Sequence, residues 1–355
     1  MGEAMDRTPD VNYTFFSSGN QRFGIKHADT RRMQRFVRTP LRCLSSLLWQ
    51  TRGVTLAFSR RFDAIVYLGD PHYISTWIGA AIARLRGIRV LFWTHGWRRP
   101  DLPWAGIVRR LFYRLANELL IYAERGRRLG VAFGYPAERM RVIYNSLDLA
   151  ATDAVLAEIE AGTLGTKPLP QDLFSVSSRP VIVCSSRLTP VCRFDLLIQA
   201  AARLATRGQP INVLLIGEGP ERSRLEEMAR EVGVDVIFFG ACYEERVLGP
   251  LLYHSDITVS PGKVGLTALH SLMYGTPVIT HGNLDAQMPE VEVVQPGLTG
   301  ALFAHEDIDS LVETVAGWLL TKWDRRLVRA DCRRMILDKW NPDTQARILA
   351  EAIRG

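Results

Sequence analysis

Residues 211–239 read INVLLIGEGPERSRLEEMAREVGVDVIFF, and this stretch decides the fold class. Ile211–Ile216 is a continuous apolar run, GEGP is a turn, and Arg222–Val232 carries helical spacing. Val234–Phe239 then returns to an apolar run. Short strands without polar alternation, separated by an amphipathic helix, predict a parallel sheet covered on both faces. The same grammar extends in both directions. Pro180–Ser185 and a helix over Phe194–Thr206 come before; a polar helix, Ile257–Ser260, a further helix and Val278–Thr280 come after. Ligands of such sheets bind at the loops leaving the strand C-termini, so those loops hold the residues to read.

Two common phosphate loops are excluded at once. GEGP (Gly217–Pro220) lies between a strand and a helix, but the third glycine of G-x-G-x-x-G is replaced by Arg222. Taken alone it reads first as a tight turn. Gly262-Lys263 is followed by Val264 rather than Ser or Thr and lacks the upstream glycine of a P-loop. Neither a nicotinamide-dinucleotide enzyme nor a P-loop NTPase is indicated.

The 355 residues suffice for two domains. Val11–Phe16, Ala64–Leu68, Val90–Trp93, Leu119–Tyr122 and Val142–Tyr144 are expected strands of the first half. Leu164–Asp172, with Pro168 and Pro170, reads as a linker. The expected organisation is a first domain over 1–150, a linker over 151–175 and a second domain over 176–338. A C-terminal helix over 339–355 would pack back on the first domain. No run of 18 apolar residues occurs, and the polar N-terminus has no apolar leader region. Cys43, Cys184, Cys192, Cys242 and Cys332 form no CxxC pair, which suits reduced thiols and gives no zinc spacing. The net charge of +7 is unevenly placed: residues 1–150 hold 24 Lys+Arg against 11 Asp+Glu. An anionic partner is therefore expected on the first half, either a phospholipid surface, a pyrophosphate-bearing acceptor or nucleic acid.

The second half contains, in order, SRLTPVCRFDLLIQAA, LLIGEGPERSRLEEMA, FFGACYEERVLGPLLYHSDITVSP, VGLTALHSLMYGTPVIT and MPEVEVVQPGLTGALF. This series resembles the nucleotide-binding domain of retaining GT-B glycosyltransferases of family four, which use sugar nucleotides. The resemblance covers nearly all of residues 178–318, together with VIYNSLD (Val142–Asp148). It implies an α/β GT-B fold: two Rossmann-like domains with parallel sheets facing a central cleft. Because Val11–Phe16 reads as a second strand, the first βα unit usual in the family is expected to be absent. VGLTALHSL with THGN and QMPE is similar to a bacterial subgroup acting on surface polysaccharides.

The resemblance also assigns residues. Arg187 stands where the family places its phosphate-binding arginine, where a guanidinium supplies bidentate charged hydrogen bonds, or else it forms a surface salt bridge. Cys192 stands where relatives have lysine, so the adjacent Arg193 is expected to substitute for it, or else forms a surface ion pair. Gly217, Gly219 and Gly240 fall on the donor side. Gly265, Leu266 and Thr267 match the helix N-terminus that binds the diphosphate through backbone N–H groups and the helix dipole. Relatives carry Glu-x7-Glu where this chain has Gly262 and His270. His270 reads either as a ribose ligand in place of the second Glu or as a core histidine on a backbone carbonyl. Glu290 either approaches the donor or caps local structure. His95, in WTHGWRR, matches a histidine that the family places near the donor sugar, and reads either as a catalytic residue or as a structural residue of its loop. Asp70 reads first as a turn former.

The helical pattern Trp104–Ala116 puts Trp104, Ile107, Val108, Leu111, Phe112 and Leu115 on one face and Arg109, Arg110 and Arg114 on the other. Arg31–Trp49 has similar chemistry around Pro40. Each either packs on its domain or lies in a membrane interface. No nucleic-acid motif accompanies the charge, so none is expected as a partner. The resemblance thus implies a retaining glycosyltransferase moving a sugar from a nucleotide-diphosphate sugar to a saccharide or lipid-linked acceptor in cell-surface polysaccharide synthesis. No metal or other cofactor is implied, and the expected location is cytoplasmic, peripheral on the inner membrane face. The alternative is a non-catalytic glycosyltransferase-like scaffold or partner subunit.

Overall fold

The computed structural model describes residues 1–18, 30, 33–99, 103–164 and 169–355, without the side chains of 103–105. The chain divides into two compact units, Met1–Asn145 with Pro342–Gly355, and Ser146–Asn341.

The first unit opens with α1 (Gly2–Asp6), the short strands β1 (Phe15–Ser17) and β2 (Phe36–Arg38), the antiparallel hairpin β3 (Arg42–Leu44) and β4 (Leu47–Trp49), and α2 (Thr51–Thr55). Its main sheet is β5 (Ala64–Leu68), β6 (Arg89–Thr94), β7 (Glu118–Ile121) and β8 (Met140–Val142). These strands are parallel and lie in chain order, with α3 (Ile74–Leu85), α4 (Pro103–Arg114) and α5 (Glu124–Ala132) as crossovers. Alternation along these strands sorts the core into two layers. Val90, Phe92, Leu119 and Ile121 pack with Trp97, Phe112 and Tyr113. Leu91, Leu120 and Ile143 face the other way, onto Ala346, Leu349 and Ala352. The last three belong to α13 (Pro342–Arg354), which returns to this unit from the end of the chain.

Three sequence expectations change here. Val11–Phe16 does not join the main sheet: β1 covers only Phe15–Ser17 and pairs with β2, which leaves β5 at the sheet edge among the described strands. Beside that edge lies a cavity of about 1140 Å3 whose lining includes Tyr13, Phe15, Phe36, Phe62, Tyr67 and Trp93. The described part of Arg31–Trp49 is not helical. Thr39-Pro40 separates β2 from a hairpin whose turn holds Ser45 at φ +55°, so proline and turn geometry override the apolar spacing. Residues 31–32 lie outside the described residues. In α4 the buried side chains are Phe112 and Tyr113, while Ile107, Val108 and Leu111 are exposed. The helix turns its C-terminal aromatic face inward rather than the whole apolar stripe, and Trp104 lies outside the described side chains.

The second unit is a six-stranded parallel sheet of β9 (Val181–Ser185), β10 (Asn212–Ile216), β11 (Val236–Gly240), β12 (Ile257–Ser260), β13 (Val278–His281) and β14 (Gly300–Phe303). Their order across the sheet is β11-β10-β9-β12-β13-β14. The helices are α6 (Leu149–Glu160), α7 (Phe194–Thr206), α8 (Arg222–Val232), α9 (Glu245–His254), α10 (Leu266–Met273), α11 (Ile308–Leu320) and α12 (Arg325–Lys339). Val181, Val183, Leu214 and Ile216 pack on Val155, Leu156, Leu251, Leu252 and Tyr274. Residues 149–160 are thus a packed helix of this unit where a linker from 151 was expected; Asp148 caps it by accepting from the Ala151 N–H at 3.1 Å. Of the expected linker core, residues 165–168 lie outside the described residues, and Pro170–Leu173 form a 3-10 turn. Strand order reverses between β9 and β12, the topological switch point where open α/β sheets bind ligands.

Candidate active site

At that switch point β9 leads into Ser186, Arg187 and Leu188, and β12 leads through Pro261 to α10. Arg187 is exposed on the rim. The next loop explains its placement. A Cβ on Gly217 would sit 1.9 Å from the Ser186 carbonyl oxygen, and one on Gly219 would sit 2.2 Å from that of Leu188. GEGP therefore lies flat against the Ser186–Leu188 backbone, tied by Leu188 N–H to the Glu218 carbonyl at 3.0 Å and Glu221 N–H to that of Leu188 at 3.1 Å. The glycine identities of 217 and 219 follow from this backbone contact, which presents Arg187. Gly240, at φ +88°, ends β11 and bridges to Gly217.

The N-terminus of α10 points into the same region: Thr267 Oγ1 donates to the Ser185 carbonyl oxygen at 2.8 Å. Like α3, α5, α7, α8 and α9, α10 has no side-chain cap, but among these only its N-cap is a glycine, Gly265. Its φ of +49° lies in the left-handed region that favours glycine. The Leu266 and Thr267 N–H groups at the first helical positions have no acceptor within the helix. With the helix dipole, such N–H groups suit an anion.

A buried side chain that sequence reasoning passed over holds this loop. Gln287 Oε1 accepts from the Val264 N–H at 3.1 Å, while Nε2 donates to the Gly262 carbonyl at 3.2 Å and to Thr280 Oγ1 at 2.8 Å. Its sequence signal is QMPE, which also contains Glu290. Glu290 is buried in the 3-10 turn Pro289–Val293, and Met288 Cγ is 4.0 Å from where a Gly265 Cβ would lie.

Arg193 adopts φ +52°, and its guanidinium meets Asp195 at 3.2 Å and Glu306 at 3.3 Å. The Asp195 hydrogen bond raises its pKa, against a smaller desolvation effect, so its charge is compensated inside the unit. Cys192 is buried, with Sγ 3.5 Å from Ser186 Oγ and 3.4 Å from Thr189 Oγ1. Gly262 packs so closely that a Cβ there would be 2.0 Å from the Val191 carbonyl oxygen. His270 is not bonded to a backbone carbonyl. Its Nε2 meets Glu245 Oε1 at 2.8 Å, and Tyr274 and Thr152 join the same oxygen. Burial favours protonated Glu245, but the bond and charge of His270, with Tyr274 and Thr152, outweigh it and lower the pKa. His281, with no motif support, is buried at the end of β13 beside His305. Desolvation first, and His305 second, lower its pKa to about 4, so it is neutral at physiological pH.

In the first unit His95 follows β6 on the surface, its ring 4.8 Å from that of Tyr122. Desolvation by its neighbours, then the Arg98 charge, lowers its pKa. Asp70 is a turn former: Oδ1 accepts from the His72 N–H at 3.0 Å and lies 2.7 Å from His72 Nδ1. Among the described residues no group of three His, Cys, Asp or Glu side chains could hold a metal ion. No described helix is long and apolar enough to cross a membrane.

Two Rossmann-like units with parallel sheets, the second with its strand order reversing between β9 and β12, define a GT-B type of protein. Residues 11–151 match the family described as Glycosyltransferase Family 4, and residues 166–334 match the one described as Glycosyl transferases group 1. A Mycolicibacterium smegmatis protein, GDP-mannose-dependent alpha-(1-6)-phosphatidylinositol monomannoside mannosyltransferase, is 25% identical over 317 residues, 81% of this chain and 78% of that protein. Its Mycobacterium tuberculosis namesake is 27% identical over 80% of this chain and 77% of that protein. Among solved structures, Anabaena Alr3699/HepE in complex with UDP aligns at TM-score 0.66 and 16% identity, covering 85% of this chain and 81% of that one. A glycosyltransferase from Rickettsia africae aligns at TM-score 0.66 and 13% identity, covering 92% and 86%. The chain belongs to the GT-B glycosyltransferases of family four.

Proposed function

We propose that the protein transfers a sugar, with retention, from a nucleotide-diphosphate sugar to a lipid-linked or saccharide acceptor of the cell surface. The observation that carries this reading is the uncapped α10 N-terminus beside Arg187 at the switch point. A diphosphate lying there meets two kinds of fixed positive charge, and both gain strength as the leaving group takes up charge. In a front-face transfer the bond from the anomeric carbon to the diphosphate oxygen breaks while the acceptor oxygen bonds the same face. The acceptor proton passes to the departing phosphate oxygen. Backbone N–H groups and Arg187 suit that chemistry because they stabilise the leaving group without exchanging protons themselves. The mannosyltransferases named above make a GDP-sugar the first donor to test and a phosphoinositide-linked saccharide the first acceptor. Incubating the protein with GDP-mannose, then UDP-glucose, and extracted membrane lipids is expected to give a glycosylated lipid with the donor's anomeric configuration by NMR. Inversion at that carbon would refute the proposed mechanism.

The acceptor side fits an amphiphile. Ile107, Val108 and Leu111 are exposed on α4 beside Arg110 and Arg114, a mixture suited to anionic headgroups. At about 1 kcal/mol for each surface arginine, Arg110→Ala with Arg114→Ala should weaken binding to phosphatidylglycerol vesicles about 30-fold. Unchanged sedimentation with those vesicles would remove the membrane from this account. A second reading, a non-catalytic scaffold, is favoured by the tight seat of Gly262 and the compensated charge of Arg193. It predicts nucleotide binding without sugar transfer to any acceptor.

A further inference from the structure

Glu245 opens α9 just beyond the C-terminal end of β11, on the ligand-binding rim of the second unit's sheet. Its side chain is 28% exposed. Three groups, from α10, its C-cap and α6, converge on one of its two oxygens. His270 Nε2 lies 2.8 Å from Oε1, Tyr274 O–H donates at 2.6 Å, and Thr152 O–H, 3.3 Å away, shares its one proton with the Asp148 carbonyl at 3.2 Å. A carboxylate only accepts, so the His270 Nε2 carries the proton. The other oxygen, Oε2, has no hydrogen-bond partner among the described residues.

A carboxylate kept for structure alone would gain by using both oxygens, since each unfilled lone pair near a partly desolvated charge forfeits stabilisation. Here one oxygen is saturated and fixes the rotamer, and the other is left at the rim as a preset acceptor. What completes it must bring donors. Position narrows the class further. His270 is five residues beyond Gly265 along α10, roughly 7.5 Å at 1.5 Å per residue. A ribose, joined to its phosphate through the C5′ methylene and one ester oxygen, reaches over that distance from the helix N-terminus. It is the only ring with neighbouring hydroxyl donors that a nucleoside diphosphate carries without its transferred sugar.

We infer that Glu245 binds the ribose hydroxyls of the donor nucleotide through Oε2, with His270, Tyr274 and Thr152 as positioning residues that hold Oε1. This rests on the proposed function and moves the ribose contact from His270 itself to the carboxylate it orients. The carboxylate suits the task across the neutral range because its pKa is lowered, as described above.

Calorimetric titration of the full chain with GDP and UDP, each beside its 2′,3′-dideoxy form, tests the assignment. The wild type should bind the ribonucleotide at least 10-fold more tightly than the dideoxy form, as expected for hydrogen bonds to a charged group. Glu245→Ala should bring the two within about threefold by weakening only the ribonucleotide. Glu245→Gln should fall between, keeping an acceptor without the charge. A wild type that binds a nucleoside diphosphate but ignores the missing hydroxyls overturns this inference alone. So does a Glu245→Ala protein that keeps the discrimination or loses both ligands equally. Failure of every nucleoside diphosphate to bind would overturn the proposed function with it. The wild-type comparison stands even if a variant does not fold.

Discussion

Arg187→Ala is expected to weaken nucleoside diphosphate binding by about 10- to 100-fold, as loss of charge-assisted hydrogen bonds worth about 1.5–3 kcal/mol requires. The unliganded melting temperature should hardly change, because Arg187 is an exposed loop residue and such substitutions cost about 0.5 kcal/mol or less. The GEGP turn that presents it is anchored by backbone hydrogen bonds through Leu188 and glycine contacts, none of which needs the guanidinium. Arg187→Lys should recover part of the affinity, since a lysine keeps the charge but not the planar fork. Calorimetric titration of the three proteins with GDP and UDP reads the effect. Equal affinities in wild type and Arg187→Ala would move the diphosphate away from the end of β9.

Gly262→Glu is expected to lower the melting temperature by roughly 6–12 °C, from about 3 kcal/mol of overpacking at 2–4 °C per kcal/mol in a unit of this size. The family pattern places a glutamate at this position, yet here the added Cβ would meet the Val191 carbonyl oxygen at 2.0 Å. Neither side can yield cheaply. Gly262 N–H donates to the Cys192 carbonyl at 3.0 Å, Lys263 N–H donates to that of Val191 at 3.2 Å, and Gln287 grips the same loop. The substitution therefore displaces the loop that leads to Gly265, and nucleotide binding should fall along with stability. A Gly262→Glu protein with native melting temperature and stronger sugar-nucleotide binding would show instead that the site accepts the usual carboxylate.

The second unit was legible because parallel strands buried on both faces appear as unbroken apolar runs. Helices Phe194–Thr206 and Arg222–Val232 were readable to the residue. The start of α10 at Gly265 was legible too, since a glycine before an apolar helix is a local pattern. Glu245 was not, because its meeting with His270 spans 25 residues and two helices, and no spacing rule brings them together. Gln287 was hidden similarly: its bonds run across a loop to residues 262, 264 and 280. The N-terminal 60 residues were the hardest to read. β1 to β4 are three residues each, too short for a period, and Pro40 and the Ser45 turn broke a stretch whose spacing suggested a helix. On α4, spacing identified an apolar stripe but could not tell which part the core would take.

The most direct test compares nucleoside diphosphates with their monophosphates on the unmodified protein, by calorimetry at one fixed salt concentration. A diphosphate should bind at least 10-fold more tightly than the matching monophosphate if, as proposed, the α10 N-terminus and Arg187 together hold two phosphates. Equal binding of mono- and diphosphate, or no binding of either, would contradict a diphosphate site at the switch point between β9 and β12.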